Sequence, residues 1–305
     1  MSFLKFYPAK KNIPVLTYHY FREPDFKLNV SLERSYYYVS CSDFDAQMNY
    51  LYTRGYKTVP LDAFNDYITK GLEVFPKSIL ITIDDGLSDS FDYAYPILKK
   101  YKFTAVFFVV VDNIDKPGSL NLEQILEMKD NQMSIQSHTY SHLNLITLKP
   151  DEVRTELFVS KRKLEEMIST PVEFLAVPFG KYNSMVVDIA KETGYRGLFT
   201  LESGLNISGS NMFTLKRILI VKDMPLAEFA GMLKPSNIYL DGLISAFKAN
   251  FRKFIGYRNT AIFRKFLFRI GLGSFIFNKN LRKIFFVFVS LVIVLIWVLI
   301  KIFII

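Results

Sequence analysis

The chain has 305 residues, 50% hydrophobic and 22% charged, with one cysteine and a formal charge of +9. That length suffices for one large domain or two small ones, and the lone Cys41 excludes an internal disulfide. The positive excess is local: eleven of the 38 Lys and Arg lie in 242–305, which holds no acid, leaving 27 against all 29 acids in the body. A nucleic-acid footprint would need its basic face on the folded domain, so nucleic acid is not an expected partner.

Residues 1–21 contain no long apolar core after their first positive charge and do not read as a secretory signal peptide. Strand-like apolar runs then follow: IPVLTY (13–18), SILITI (78–83), TAVFFVVV (104–111), MSIQS (133–137), FLAVPF (174–179), GLFTL (197–201) and TLKRILIV (214–221). Helix-like segments at 43–54, 61–70, 88–101, 121–129, 150–168 and 183–193 separate them. Ser42 and Asp43 are expected to cap the first helix, and Pro150 with Asp151 to open the fifth. Near-continuous apolar strands alternating with helices predict a parallel sheet covered on both faces. About seven such units favour a closed β/α barrel, residues 1–241, over an open sheet. In such a barrel, catalytic groups belong where strands end and loops begin.

Beyond the barrel, 242–283 alternates aromatic and basic residues. Phe247, Phe251, Phe254 and Ile255, then Phe263, Phe266, Leu267 and Ile270, recur at helical spacing. This predicts an amphipathic segment on an anionic membrane surface; a basic face on an ordinary helix is the alternative. In 284–305, IFFVFVSLVIVLIWVLI carries no charge and IFII follows the single Lys301. As a helix it would span roughly 33 Å, about the bilayer's hydrocarbon thickness. A single-pass C-terminal anchor in a bacterial cytoplasmic membrane is therefore expected, rather than a buried core helix. Ten positive charges before it predict a cytoplasmic body.

ITIDDG (81–86) places Asp84 and Asp85 side by side at the end of an apolar run. Adjacent buried carboxylates oppose each other's ionisation, so a positive charge must stand nearby or one acid must hold a proton. Two of the three histidines lie in SHTYSH (137–142), again at a strand end. A spacing of four lets one helical turn aim His138 and His142 at one point, as metal ligands require. With Asp85 they form a set for a divalent cation, zinc first, with cobalt, nickel or manganese fitting similar sites. Asp84 would then be left to take a proton from water. Two surface histidines and a capping Asp-Asp-Gly turn are the bland alternative.

The stretch ITIDDGLSDSFDYAYPILKKYKFTAVFFVV resembles the first motif of the polysaccharide deacetylases, the NodB-homology family (carbohydrate esterase family 4). SHTYSH resembles its second motif and AVPFGKYN (176–183) its third, in the right order across roughly 13–221. VLTYHYF (15–21) is similar to the opening strand of the branch acting on poly-N-acetylglucosamine. The resemblance implies a distorted (β/α) barrel that hydrolyses the acetamido group of an N-acetylated amino sugar. By position, it makes Asp84 the general base and gives the metal to Asp85, His138 and His142. In the segment Pro178, Phe179, Gly180 it implies an oxyanion donor, the Phe179 N–H, with Gly180 allowing a close turn.

The pattern also departs from the family. Many members carry an arginine two residues before the motif-three proline, holding the base; Ala176 stands there. Arg217 is the candidate substitute, with a surface ion pair as its alternative. No histidine follows His142 to serve as general acid, and the family's motif-four tryptophan is missing, Trp297 lying in the apolar tail. First and last strands of a barrel are neighbours, so His19 is expected near the metal as acid or substrate contact, or else as a satisfied structural histidine. Two readings of the whole follow. One is a deacetylase of a lipid-linked (undecaprenyl-phosphate) N-acetylhexosamine in envelope or lipid A modification, or of surface polysaccharide or peptidoglycan if the body faces outward. The other is a carbohydrate-binding protein that has lost its chemistry.

Overall fold

The computed structural model describes residues 12–22, 35–234, 236–238 and 242. All but the last fall within one compact unit, Met1–Tyr239. Its central sheet is parallel throughout and contains all seven expected strands. They are β1 (Val15–Tyr18), β5 (Ser78–Ile83), β6 (Val106–Val109), β7 (Ser134–Ser137), β8 (Phe174–Ala176), β9 (Gly197–Phe199) and β10 (Ile218–Leu219), in the order β10-β1-β5-β6-β7-β8-β9. A parallel bridge between Phe199 and Leu215 links β9 to the segment entering β10, so the sheet curls toward a distorted (β/α) barrel.

Three short strands escaped the hydrophobic pattern. β2 (Tyr20–Arg22) and β3 (Tyr38–Ser40) pair parallel beside the barrel, and β4 (Lys57–Thr58) adds to the start of β5. At two or three residues each, they are too short to show a period.

The helices are α1 (Cys41–Thr53), α2 (Leu61–Lys70), α3 (Tyr95–Lys100), α4 (Leu122–Asp130), α5 (Pro150–Ile168), α6 (Ser184–Glu192) and α7 (Leu226–Met232). A π turn over Ser90–Ala94 leads into α3. Ser40 caps α1, accepting from the Asp43 N–H at 3.0 Å, so the helix starts ahead of the expected Ser42 and Asp43. Pro150 opens α5 as expected, its missing N–H costing nothing in a first turn.

Strand parity divides the core in two. Leu16, Ile81, Phe107, Leu175 and Leu198 point outward to the helices. Val15, Leu80, Val106, Phe108, Phe174 and Phe199 point inward, where Leu61, Phe64 and Ile68 of α2 join them. Both faces of every central strand are thus covered, which is why SILITI is buried at all six positions.

Among the described residues no helix is long and apolar enough to cross a membrane. The expected surface segment 242–283, apart from residue 242, and the expected anchor 284–305 lie outside the described residues.

Candidate active site

In a strand, successive side chains face opposite ways, so Asp84 and Asp85 should diverge. Asp84 keeps the inward parity of Leu80 and Thr82 and is 1% exposed. Asp85 takes a left-handed backbone (φ 75°), and Gly86 repeats it (φ 68°). A side chain at Gly86 would press on Val109 at 3.1 Å in a left-handed backbone, so the turn favours glycine. The double step leaves Asp85 Oδ1 3.3 Å from His138 Nε2 and 3.4 Å from His142 Nε2.

His138 leaves β7 with its N–H donating to Val109 O at 2.8 Å. Its Nδ1 donates to Ala176 O at 2.7 Å, so in the neutral ring the Nε2 lone pair faces Asp85. His142 reaches the same point without the expected helical turn. The intervening loop bends through left-handed Thr139 (φ 68°) and His142 (φ 61°), and Thr139 Oγ1 accepts from the His142 N–H at 3.0 Å. A helix would have continued the chain along its axis; this loop returns it to the strand end.

The ligand atoms of Asp85, His138 and His142 lie within 4.8 Å of one another. Bonds of about 2.0–2.1 Å to a tetrahedral ion would set ligand atoms about 3.3–3.4 Å apart, matching the two Asp85–histidine separations. A carboxylate oxygen this close to two imidazole nitrogens requires either protons or a cation between them. Burial pulls the His138 imidazole down, yet Asp85 and Asp84 outweigh it and hold it above its usual range. Burial pushes Asp85 up, and hydrogen bonds from the two imidazoles bring it well below the carboxylate range. The donors fit a divalent cation.

Arg217 supplies the charge that Asp84 needs. Its two terminal nitrogens donate to Oδ1 and Oδ2, each at 2.8 Å, and Nε donates to Thr200 O at 2.7 Å. The guanidinium lies 5.8 Å from the Phe108 ring centre, and its side chain has no exposure. It is neither a surface ion pair nor a substrate contact. Burial pushes Asp84 up, but Arg217, then His138 and His19, hold it below its ordinary value.

His19 comes to the same mouth: its Nε2 stands 3.9 Å from Asp84 Oδ2, outside hydrogen-bond reach. Among the described residues its buried Nδ1 has no partner. Burial holds this imidazole below its usual range. Pro178, Phe179 and Gly180 form a single tight turn in which Phe179 is left-handed (φ 60°) and 55% exposed. The Phe179 ring meets that of His142 at 4.9 Å, edge to face. Thr82 and Thr200, the oxygens that steady Arg217, escaped the sequence reading; strand parity was the only signal pointing Thr82 inward.

Residues 73–198 match the family model described as polysaccharide deacetylase. YxkH of Bacillus subtilis (strain 168), classed as a polysaccharide deacetylase, is 31% identical over 227 residues, covering 74% of this chain and 77% of its own. This chain belongs to the polysaccharide deacetylase family. Poly-beta-1,6-N-acetyl-D-glucosamine N-deacetylase of Staphylococcus aureus (strain MRSA252) is 30% identical, covering 68% of this chain and 78% of its own. Among solved structures, the Streptococcus pyogenes deacetylase PplD in complex with acetate superimposes with a TM-score of 0.68 at 27% identity. It covers 74% of this chain and all of PplD. Like these deacetylases, the chain is a hydrolase of the amide C–N bond in N-acetylated sugars, a metal-dependent chemistry for which Asp85, His138 and His142 offer the ligand set.

Proposed function

We propose that this deacetylase removes acetyl groups from an N-acetylglucosamine polymer of the cell surface, with Asp84 as general base and Asp85, His138 and His142 holding a divalent cation, zinc first. The convergence of those three ligand atoms beside an Arg217-held carboxylate carries the reading. The poly-beta-1,6-N-acetyl-D-glucosamine deacetylase among its relatives supports the polymer as substrate.

Bound there, the cation would acidify water and polarise the acetyl carbonyl. Asp84 takes the water proton as the oxygen attacks the acetyl carbon. The Phe179 N–H donates to the oxyanion that develops, from a backbone held beside His142 by the ring contact. As the C–N bond breaks, the leaving nitrogen gains a proton along the path from Asp84 past His19. Acetate and a free amine leave.

The lipid-linked N-acetylhexosamine is the second reading. What favours it is the aromatic, basic stretch 242–283 ahead of the apolar run 284–305, which would anchor the domain at a membrane. The two readings place the catalytic domain on opposite membrane faces, so protease digestion of intact spheroplasts separates them. The decisive assay is acetate release from β-1,6-linked N-acetylglucosamine oligomers against an undecaprenyl-phosphate N-acetylhexosamine, with metal stripped and restored. Release from the oligomers that needs metal and disappears in Asp84→Asn supports the proposal. Release from the lipid-linked sugar alone replaces the substrate, and no release from either points to another N-acetylated sugar such as peptidoglycan.

A further inference from the structure

The loop that carries both candidate metal histidines is held by a carboxylate from outside the site. Glu156 lies in the middle of α5, on the face that also buries Val153, Leu157 and Ser160, and is 7% exposed. Its Oε2 accepts from the N–H groups of Tyr140 (3.1 Å) and Ser141 (2.9 Å), and its Oε1 accepts from Ser141 Oγ at 2.5 Å. One turn further along the helix, Ser160 Oγ meets Ser137 Oγ at 3.0 Å, so α5 grips the end of β7 and the loop beyond it.

The grip fixes the backbone between the two imidazoles. From His138 to His142 all five N–H groups have acceptors: Val109 O, Ser137 Oγ, Glu156 twice, and Thr139 Oγ1. The two that Glu156 takes lie between left-handed Thr139 and left-handed His142. Non-glycine residues seldom adopt that region and persist there only where their surroundings over-determine them. Without Glu156 the peptide units between the two imidazoles would lose their fixed direction, and the His138–His142 separation its definition.

We propose that Glu156 is a positioning residue that presets the two imidazoles for the cation and thereby sets metal affinity. It touches neither substrate nor metal. The inference rests on the metal-dependent reading above.

The test is titration of metal-stripped protein with Co2+, read by its visible absorption, for wild type, Glu156→Ala, Glu156→Asp and Glu156→Gln. Outer partners of metal ligands typically control affinity by about 10–100-fold, and the Ala variant should weaken Co2+ binding by that factor. Asp withdraws the carboxylate by one C–C bond and should weaken binding about tenfold. Gln keeps an oxygen for both N–H groups and should bind within about threefold of wild type, with an unchanged spectrum. Circular dichroism of the stripped proteins monitors the fold; if the Ala variant does not fold, the Asp–Gln pair decides. Asp and Gln variants that bind alike, or an Ala variant that binds like wild type, would overturn the inference. Wild-type protein that takes up no Co2+ would instead defeat the metal-dependent reading itself.

Discussion

Arg217 holds both carboxylate oxygens of Asp84 at 2.8 Å across 133 residues of sequence. The fork answers the problem that adjacent Asp84 and Asp85 set. Asp84 is balanced by a guanidinium from the barrel's last strand, and Asp85 by the imidazoles at the end of β7 and whatever cation they gather. The arginine that the family resemblance leads one to expect two residues before Pro178 is absent, Arg217 at the entry to β10 holds Asp84 instead, and the Ala176 carbonyl at that position orients His138.

Replacing Arg217 should expose both of its effects. Breaking one partner of a buried ion pair costs about 3–5 kcal/mol, so Arg217→Met should lower the unfolding midpoint markedly. With its countercharge gone, the Asp84 pKa rises, and the acid limb of the kcat/KM profile should move to higher pH. Arg217→Lys should rescue little, since an ammonium cannot reproduce the two-pronged geometry. An acid limb that stays in place would show that Asp84 is not the group titrating there.

Asp89 gives a pH effect of the opposite sign. Burial, then the Asp85 and Asp92 charges, push its carboxyl up to about 7, and its Oδ2 accepts from the Phe21 N–H at 3.1 Å. A carboxyl raised in the folded state binds more protons there than when unfolded, so its contribution falls as pH climbs from about 4 through 7. Asp89→Asn keeps the oxygen for Phe21 and removes the ionisation. In chelator-treated protein the variant should match wild type near pH 5 and exceed its stability at pH 8, by up to about 4 kcal/mol for a shift of that size. Urea unfolding at the two pH values measures the difference. Equal stabilities at pH 8 would rule out a buried, raised carboxyl.

Much of this site could be read in the sequence because apolar runs and strand parity are local properties. Seven runs became seven strands, and the inward parity that buries Leu80 and Phe108 also carries Asp84 inward. What could not be read was backbone conformation. Asp85, His142 and Phe179 all sit at positive φ without being glycine, and no side-chain periodicity reports that. The helical turn expected between His138 and His142 had the right spacing and the wrong path for this reason. Arg217 was visible only as a candidate, because its role depends on β10 closing beside β1, a contact fixed by the whole barrel.

The turn that aims Phe179 depends on Gly180. Gly180 has φ 64°, and an added Cβ would lie 2.6 Å from Leu201 Cβ and 2.8 Å from its backbone nitrogen. A flexible side chain could yield; a backbone atom cannot without moving β9's end. Gly180→Ala should therefore displace Phe179 from His142, with kcat falling at least tenfold and stability dropping by about 1–3 kcal/mol from strain and overpacking. Should kcat hold while stability falls, the Phe179 N–H is not an oxyanion donor.

His19 separates catalysis from architecture most cleanly. A structural histidine buried to this degree ordinarily satisfies both ring nitrogens. Among the described residues Nδ1 has no partner, and Nε2 stands 3.9 Å from Asp84 Oδ2, beyond direct hydrogen-bond reach but beside the proposed base. Burial lowers the pKa, so the ring rests neutral near neutrality, able to receive the proton Asp84 gathers and pass it on. Deleting an imidazole that moves this proton should cost about 10²–10⁴-fold in turnover, while Tm falls only modestly, since removal of a poorly satisfied polar group offsets part of the packing lost against Tyr37. Unchanged turnover in His19→Ala would end its catalytic assignment, and a large fall in Tm with turnover intact would mark it as structural.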